Sequence, residues 1–144
     1  AVSEAKGLEG LRDELIEQLQ ALTAMPAEER ETVLLIVPHM LRDFLDFNDF
    51  LDEADGVLQE LDMEGEFQIA SFHPDFQFAD TEPDDITNFT NRSPYPTLHL
   101  IREASIDRAV EAFPEAEMIY ETNMATMEKL GLDGWKALNV EPTP

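Results

Sequence analysis

Leucine recurs at positions 8, 11, 15, 19 and 22. Steps of three and four put these side chains on one stripe of a helix, and Pro26 stands beyond its end. From Thr32 to Val37 the chain is continuously apolar or β-branched, the pattern of a strand buried on both faces, and Pro38 stops it. A helical period returns from Leu41 to Leu61, with Phe44, Phe47, Leu51, Ala54, Leu58 and Leu61 inward. On the same helix Asp43, Asp46, Asp49, Asp52 and Asp55 fall at every third residue. A step of three turns a helix by about 300°, so these carboxylates spread across the outer face instead of forming a column that would hold a cation.

Gly65 opens a second strand, Phe67 to Phe72, and Leu98 to Ile101 reads as another. Between them, His73 to Pro96 is polar, proline-rich and without period; loops of this length in compact domains are commonly functional or act as covers. Ser105 is placed to cap a helix containing Ile106, Ala109, Val110 and Phe113, which Pro114 breaks. A last helix carries Met118, Ile119, Met127 and Leu130 to a C-cap at Gly131, with Trp135 and Leu138 tying down the tail.

This order predicts an α/β or α+β fold: a two-layer sandwich with a mixed four-stranded sheet and about four helices, in βαβαββαα-like order. The whole of 1–144 is expected to form one domain. Its opening Ala1-Val2-Ser3 reads as the tail of a strand truncated at the N-terminus. The strands at Thr32 and Phe67, joined by a helix, are expected to run parallel with a right-handed crossover.

Composition sharpens the picture. The chain has 144 residues, is 43% apolar and holds nine Phe, enough for one continuous core. No apolar run is long enough for a membrane span, and no basic segment leads into an apolar one as in a signal peptide. Cysteine is absent, which excludes disulfides, thiolate metal sites and a Cys nucleophile, and fits a reducing, cytoplasmic compartment. The net charge of −23 disfavours nucleic acid and anionic membranes as partners of the general surface. From Asp43 to Asn91 there are fifteen acidic residues and no Lys or Arg, until Arg92 ends the run. A lone cation in such a field is expected to be paired or put to use. Most of the acids are expected to serve solubility.

If the strands at Thr32 and Phe67 are parallel, His39 and His73 leave the same edge of the sheet, where carboxyl ends of strands form ligand crevices. If the strand at Leu98 runs back, Asn91 to Pro96 joins them. His39, His73, Asp75, Asn91, Arg92 and Tyr95 are therefore the candidate site. In one reading Arg92 forks an anion, Asn91 and Tyr95 help to bind it, and His39 and His73 move protons. In another, His39, His73 and Asp75 bind a divalent metal and support hydrolysis, although their spacing matches no local metal motif. Ser71 and Ser93 are the weakest candidates, as nucleophiles outside any nucleophile elbow. The local alternatives are a backbone hydrogen bond from His39 at its turn and a simple strand exit at His73-Pro74-Asp75, with Asp75 forming an Asx turn. His99 falls on the sheet face opposite Leu98 and Leu100. Asn88-Phe89-Thr90 and Asn91-Arg92-Ser93 match the glycosylation triplet only by chance in a chain without a secretory signal. The remaining alternative is a non-catalytic interaction module with residues 73–96 as a packed cover.

Several long words are specific: Pro38-His39, the run from Asp43 to Asp52, Ala70-Ser71-Phe72-His73-Pro74, Gln77-Phe78, Thr90 to Pro96, and Leu98-His99-Leu100 followed by Arg102-Glu103. Together they resemble the bacterial domain-of-unknown-function family 1415 over nearly the whole chain. The resemblance implies a bacterial cytoplasmic protein and no known activity. It also implies an upstream segment similar to Asn-Leu-Cys-Pro-Phe, which this chain lacks. Asp80 departs from the pattern, standing where glycine is common in that family.

Overall fold

The computed structural model describes residues 1–112 and 118–140. Helix α1 spans Leu8–Ala24 and buries Leu11, Leu15, Leu19 and Leu22 completely. At about 1.5–3 kcal/mol for each fully buried leucine, this stripe anchors the helix. Helix α2, Phe44–Glu60, turns Phe47, Phe50, Ala54, Val57 and Leu58 inward. Its five evenly spaced aspartates, Asp43 to Asp55, are all exposed, as the precession of carboxylates around the helix requires.

Strands β1 (Thr32–Ile36), β2 (Phe67–Phe72) and β3 (Thr97–Arg102) form one sheet in the order β1-β3-β2. Both outer strands pair antiparallel with β3. β1 and β2 therefore run in the same direction, as expected for strands joined by a helix, but β3 sits between them. The expected four-stranded mixed sheet is a three-stranded antiparallel one, and the architecture is α+β. The segment expected as a fourth strand makes a single parallel bridge, Val2 to Ile36, along the outer edge of β1. The Ser3 N–H donates to the Ile36 carbonyl at 2.7 Å, and the Ile36 N–H donates to the Ala1 carbonyl at 2.9 Å.

Val33 and Leu35, Leu98 and Leu100, and Phe67 join the α1 and α2 side chains in one core. Leu34 lies on the other face and is 46% exposed, so β1 is not buried on both sides. His99 also lies on that face, half-buried, with the Phe72 ring 6.4 Å away.

Helix α3 (Glu103–Ala112) follows β3 directly and does not wait for a cap at Ser105. The expected Phe113 and Pro114 lie outside the described residues. Helix α4 (Met118–Ala137) is interrupted at Gly131, where φ is 69°. Glycine adopts this left-handed conformation without a Cβ penalty, so Gly131 ends one helical segment as expected, and a short second segment follows. Met118 and Ile119, expected to pack, are exposed, as is Leu138. Trp135 does tie the tail down, edge-on to Phe89 at 5.2 Å.

Candidate functional site

The register settles which ends of the strands meet. Ile36 and Phe72, the last residues of β1 and β2, both lie opposite Thr97, the first residue of β3. Segments 37–43, 73–78 and 91–96 therefore emerge at one end of the sheet. On the β1 side, Leu41 takes a left-handed conformation (φ 60°) that cannot continue a helix. Asp43 then caps α2, its carboxylate accepting the Leu45 and Asp46 N–H groups at 2.9 and 3.2 Å. The helix accordingly begins at Phe44 and not at Leu41.

His73 closes β2 and is fully buried. Its Nε2–H donates to the Leu41 carbonyl at 2.9 Å, and its Nδ1 accepts the Asp75 N–H at 2.9 Å. A backbone amide can only donate, which fixes the Nε2–H tautomer. The Phe44 and Phe47 rings flank the imidazole at 5.3 and 5.0 Å. Burial pushes its pKa below the usual histidine range, against the opposing pull of the Leu41 hydrogen bond and of Asp75 and Asp43. His73 is thus a neutral latch between the two strand exits. While those bonds persist, neither ring nitrogen is free to bind a metal or to shuttle a proton. Among the described residues, no group of three or more His, Asp or Glu stands where it could hold a metal ion. The local geometry therefore does not assemble His39, His73 and Asp75 as a metal site.

The segment 73–96 is knit by its own polar side chains. It contains a 3-10 helix, Ile86–Asn91. Asn88 is fully buried. Its Oδ1 accepts from the Phe78 N–H and the Thr81 hydroxyl, and its Nδ2 donates to the Glu82 carbonyl, at 2.8–3.0 Å. Asn91 Nδ2 donates to the Ser71 carbonyl at 3.1 Å, and its own carbonyl accepts the His73 N–H at 3.1 Å. Arg92 Nε donates to the Phe76 carbonyl at 2.8 Å and Nη2 to the Pro83 carbonyl at 2.9 Å. The guanidinium carbon lies 4.3 Å from the centre of the Phe89 ring. Tyr95 is half-buried, its carbonyl accepting from the Ser93 and Thr97 hydroxyls at 2.6 and 2.9 Å.

Asp75 and Arg92 share an open cleft of about 740 Å³. Gln77 and Pro83 complete its loop side, and Arg42, Asp43, Phe44 and Leu45 form its helix side. His39 is exposed and does not line it, and neither do Asn91 and His73, whose side chains are spent on backbone groups. Of the six residues expected to converge, the cleft lining therefore unites two.

Three important residues escaped the sequence reading. Arg42 is one, although it bounds the cation-free stretch from the other side. Asn88 is another, a residue type that caps and bridges loops. Arg102 Nη2 reaches the carbonyls of Leu22, Met25 and Arg30 at 2.7–2.9 Å, closing the C-terminal end of α1. Its signal was its alternation with Leu98 and Leu100, which points a charge toward the core side.

Together these features describe an α+β domain with a cleft bearing two arginines at one end of a small antiparallel sheet. The chain belongs to DUF1415, a family of proteins of unknown function, whose model matches residues 1–137. No curated protein and no solved structure matches it. Among the described residues, no helix is long and apolar enough to cross a membrane.

Proposed function

We propose that this domain, in the bacterial cytoplasm, binds a small anionic metabolite in the cleft at the carboxyl ends of β1 and β2. Arg42 and Arg92 are the anion-holding groups. The observation that carries the reading is the state of Arg92. In a chain with 32 acidic residues, no carboxylate among the described residues lies within ion-pair distance of it. Two carbonyls and the Phe89 ring hold the guanidinium in place, so little side-chain entropy remains to be lost on binding. Burial lowers its pKa despite nearby Asp75, which marks a charge short of solvation. Its remaining N–H groups, with the exposed Arg42, which pairs with no carboxylate among the described residues, suit the oxygens of a carboxylate or phosphate. If catalysis accompanies binding, His73 would first have to give up two hydrogen bonds, and His39 would have to reach a cleft that it does not line.

Calorimetric titration with succinate, citrate and inorganic phosphate tests this. Arg42→Gln should weaken the best ligand about tenfold and leave the fold intact, the loss of one charge-assisted contact. Arg92→Gln should weaken it at least as much. No heat at millimolar concentration from any of these anions or from small monocarboxylates, or equal binding by the Arg42 variant, would sink the reading.

A second reading is a protein-interaction module. Val110, Met118, Ile119 and Tyr120 are large apolar residues left 47–57% exposed on α3 and α4. It gains ground if the cleft binds no anion and a partner protects these helices from hydrogen exchange.

A further inference from the structure

We infer that the ligand of this cleft is a small zwitterion of the α-amino-acid type, with its carboxylate on Arg42 and Arg92 and its ammonium on Asp75 and Gln77. This rests on the anion-binding reading above and adds the second charge.

The cleft lining carries two arginines and two aspartates. Asp43 is already engaged as the cap of α2. Asp75 is exposed, and its carboxylate makes no hydrogen bond or ion pair with the described residues. Its place is nonetheless fixed, because its backbone N–H is held by His73 Nδ1 at 2.9 Å. Asp75 and Arg92 act on one another electrostatically but remain apart, farther than ion-pair distance. A carboxylate and a guanidinium facing one cavity without closing on each other complement a ligand that bears both signs. A dicarboxylate would set its second charge against Asp75.

Gln77 adds direction. Its Nε2 donates to the Thr81 carbonyl at 2.6 Å, which fixes the amide and leaves Oε1 as an acceptor for an ammonium. Phe44, Leu45 and Pro83 supply apolar lining for a side chain.

The test uses matched probes on the whole chain. L-Alanine, L-leucine and L-phenylalanine are each titrated beside the corresponding 2-hydroxy acid, which lacks the ammonium, and the amino-acid amide, which lacks the carboxylate. At least one amino acid should bind about tenfold more tightly than both of its analogues. Asp75→Asn should abolish the preference over the hydroxy acid without weakening the hydroxy acid's own binding and without lowering the melting temperature. Arg42→Gln should weaken amino acid and hydroxy acid alike. If hydroxy acid and amino acid bind the native chain equally, the zwitterion inference fails and the anion reading stands. If the amide binds as well as the amino acid, the arginines hold no carboxylate and both ideas fall. Both also fall if none of the probes binds and the dicarboxylates and phosphate do not either.

Discussion

His73 spends both ring nitrogens on backbone groups, one from each strand exit, and so works only as the neutral imidazole. Protonated, Nδ1 would become a donor facing the Asp75 N–H donor. The sign of the pH dependence follows. With its pKa lowered in the folded chain, His73 takes up a proton in the unfolded chain first as the pH falls below about 6.5. Stability should therefore decline from that pH down through the folded pKa, and then lose no more from this group. NMR titration should show the His73 ring changing below pH 6.5. Urea unfolding at pH 7 and pH 5 should show a smaller His73-linked loss in His73→Gln than in the native chain. A folded pKa at or above 6.5 would refute the latch. Asp80 is a quieter case. Its φ of 63° lies in the left-handed region, where a glycine carries no Cβ penalty. Asp80→Gly should raise stability by up to about 0.5 kcal/mol, since the relief exceeds the extra entropy of an unfolded glycine only slightly. A drop in melting temperature would show that the Asp80 side chain does something this backbone argument misses.

At the level of elements, the segment from His73 to Pro96 matters most. It lacks the periodicity of a helix or strand, and its order comes instead from Asn88, Asn91 and Arg92 bonding backbone groups up to twenty residues away. Asn88 alone satisfies groups of Phe78, Thr81 and Glu82 from a fully buried position. Asn88→Ala would take the partner from the Phe78 N–H and the Glu82 carbonyl at once, and should cost about 1–3 kcal/mol. Hydrogen exchange should locate the damage at residues 76–92, with the α1 and α2 amides changed only through the global loss. Uniform loss of protection without a local component would mean that the loop and the core unfold as one unit. The aromatic contacts of Phe78 with Tyr120 and of Phe89 with Trp135 extend this order to α4. Helix α4 thus owes its position to the loop, since it buries no residue of its own.

Across the whole molecule, a net charge of −23 is laid over a core that is apolar and continuous. The long acidic stretch begins just after Arg42 and ends at Arg92, and folding brings these two boundary cations to one cleft. Periodicity revealed most of the core, because a buried stripe repeats along the chain. Leu11, Leu15, Leu19 and Leu22 of α1, Phe47, Ala54 and Leu58 of α2 and the alternation of β3 read correctly, whereas Leu8 is exposed and the buried Phe50 and Val57 were not among the positions expected inward. It also revealed that Thr32 and Phe67 begin strands of one direction, and hence that one end of the sheet gathers the exits. Strand order was beyond its reach, since the insertion of β3 between β1 and β2 depends on pairing between residues far apart in sequence. The same limit applies to the site. Residue type named His73, Asn91 and Arg92 as important, but chemistry alone does not reveal whether a side chain's hydrogen bonds end on a ligand or on a carbonyl. The sequence by itself determined the four α-helices, the three strands, most of the core and the shared edge, because those follow from local spacing and hydrophobicity. Tertiary structure alone decided that His73 is a latch and that Arg42 and Arg92 face one cleft, because those outcomes depend on which distant backbone groups reach each side chain first.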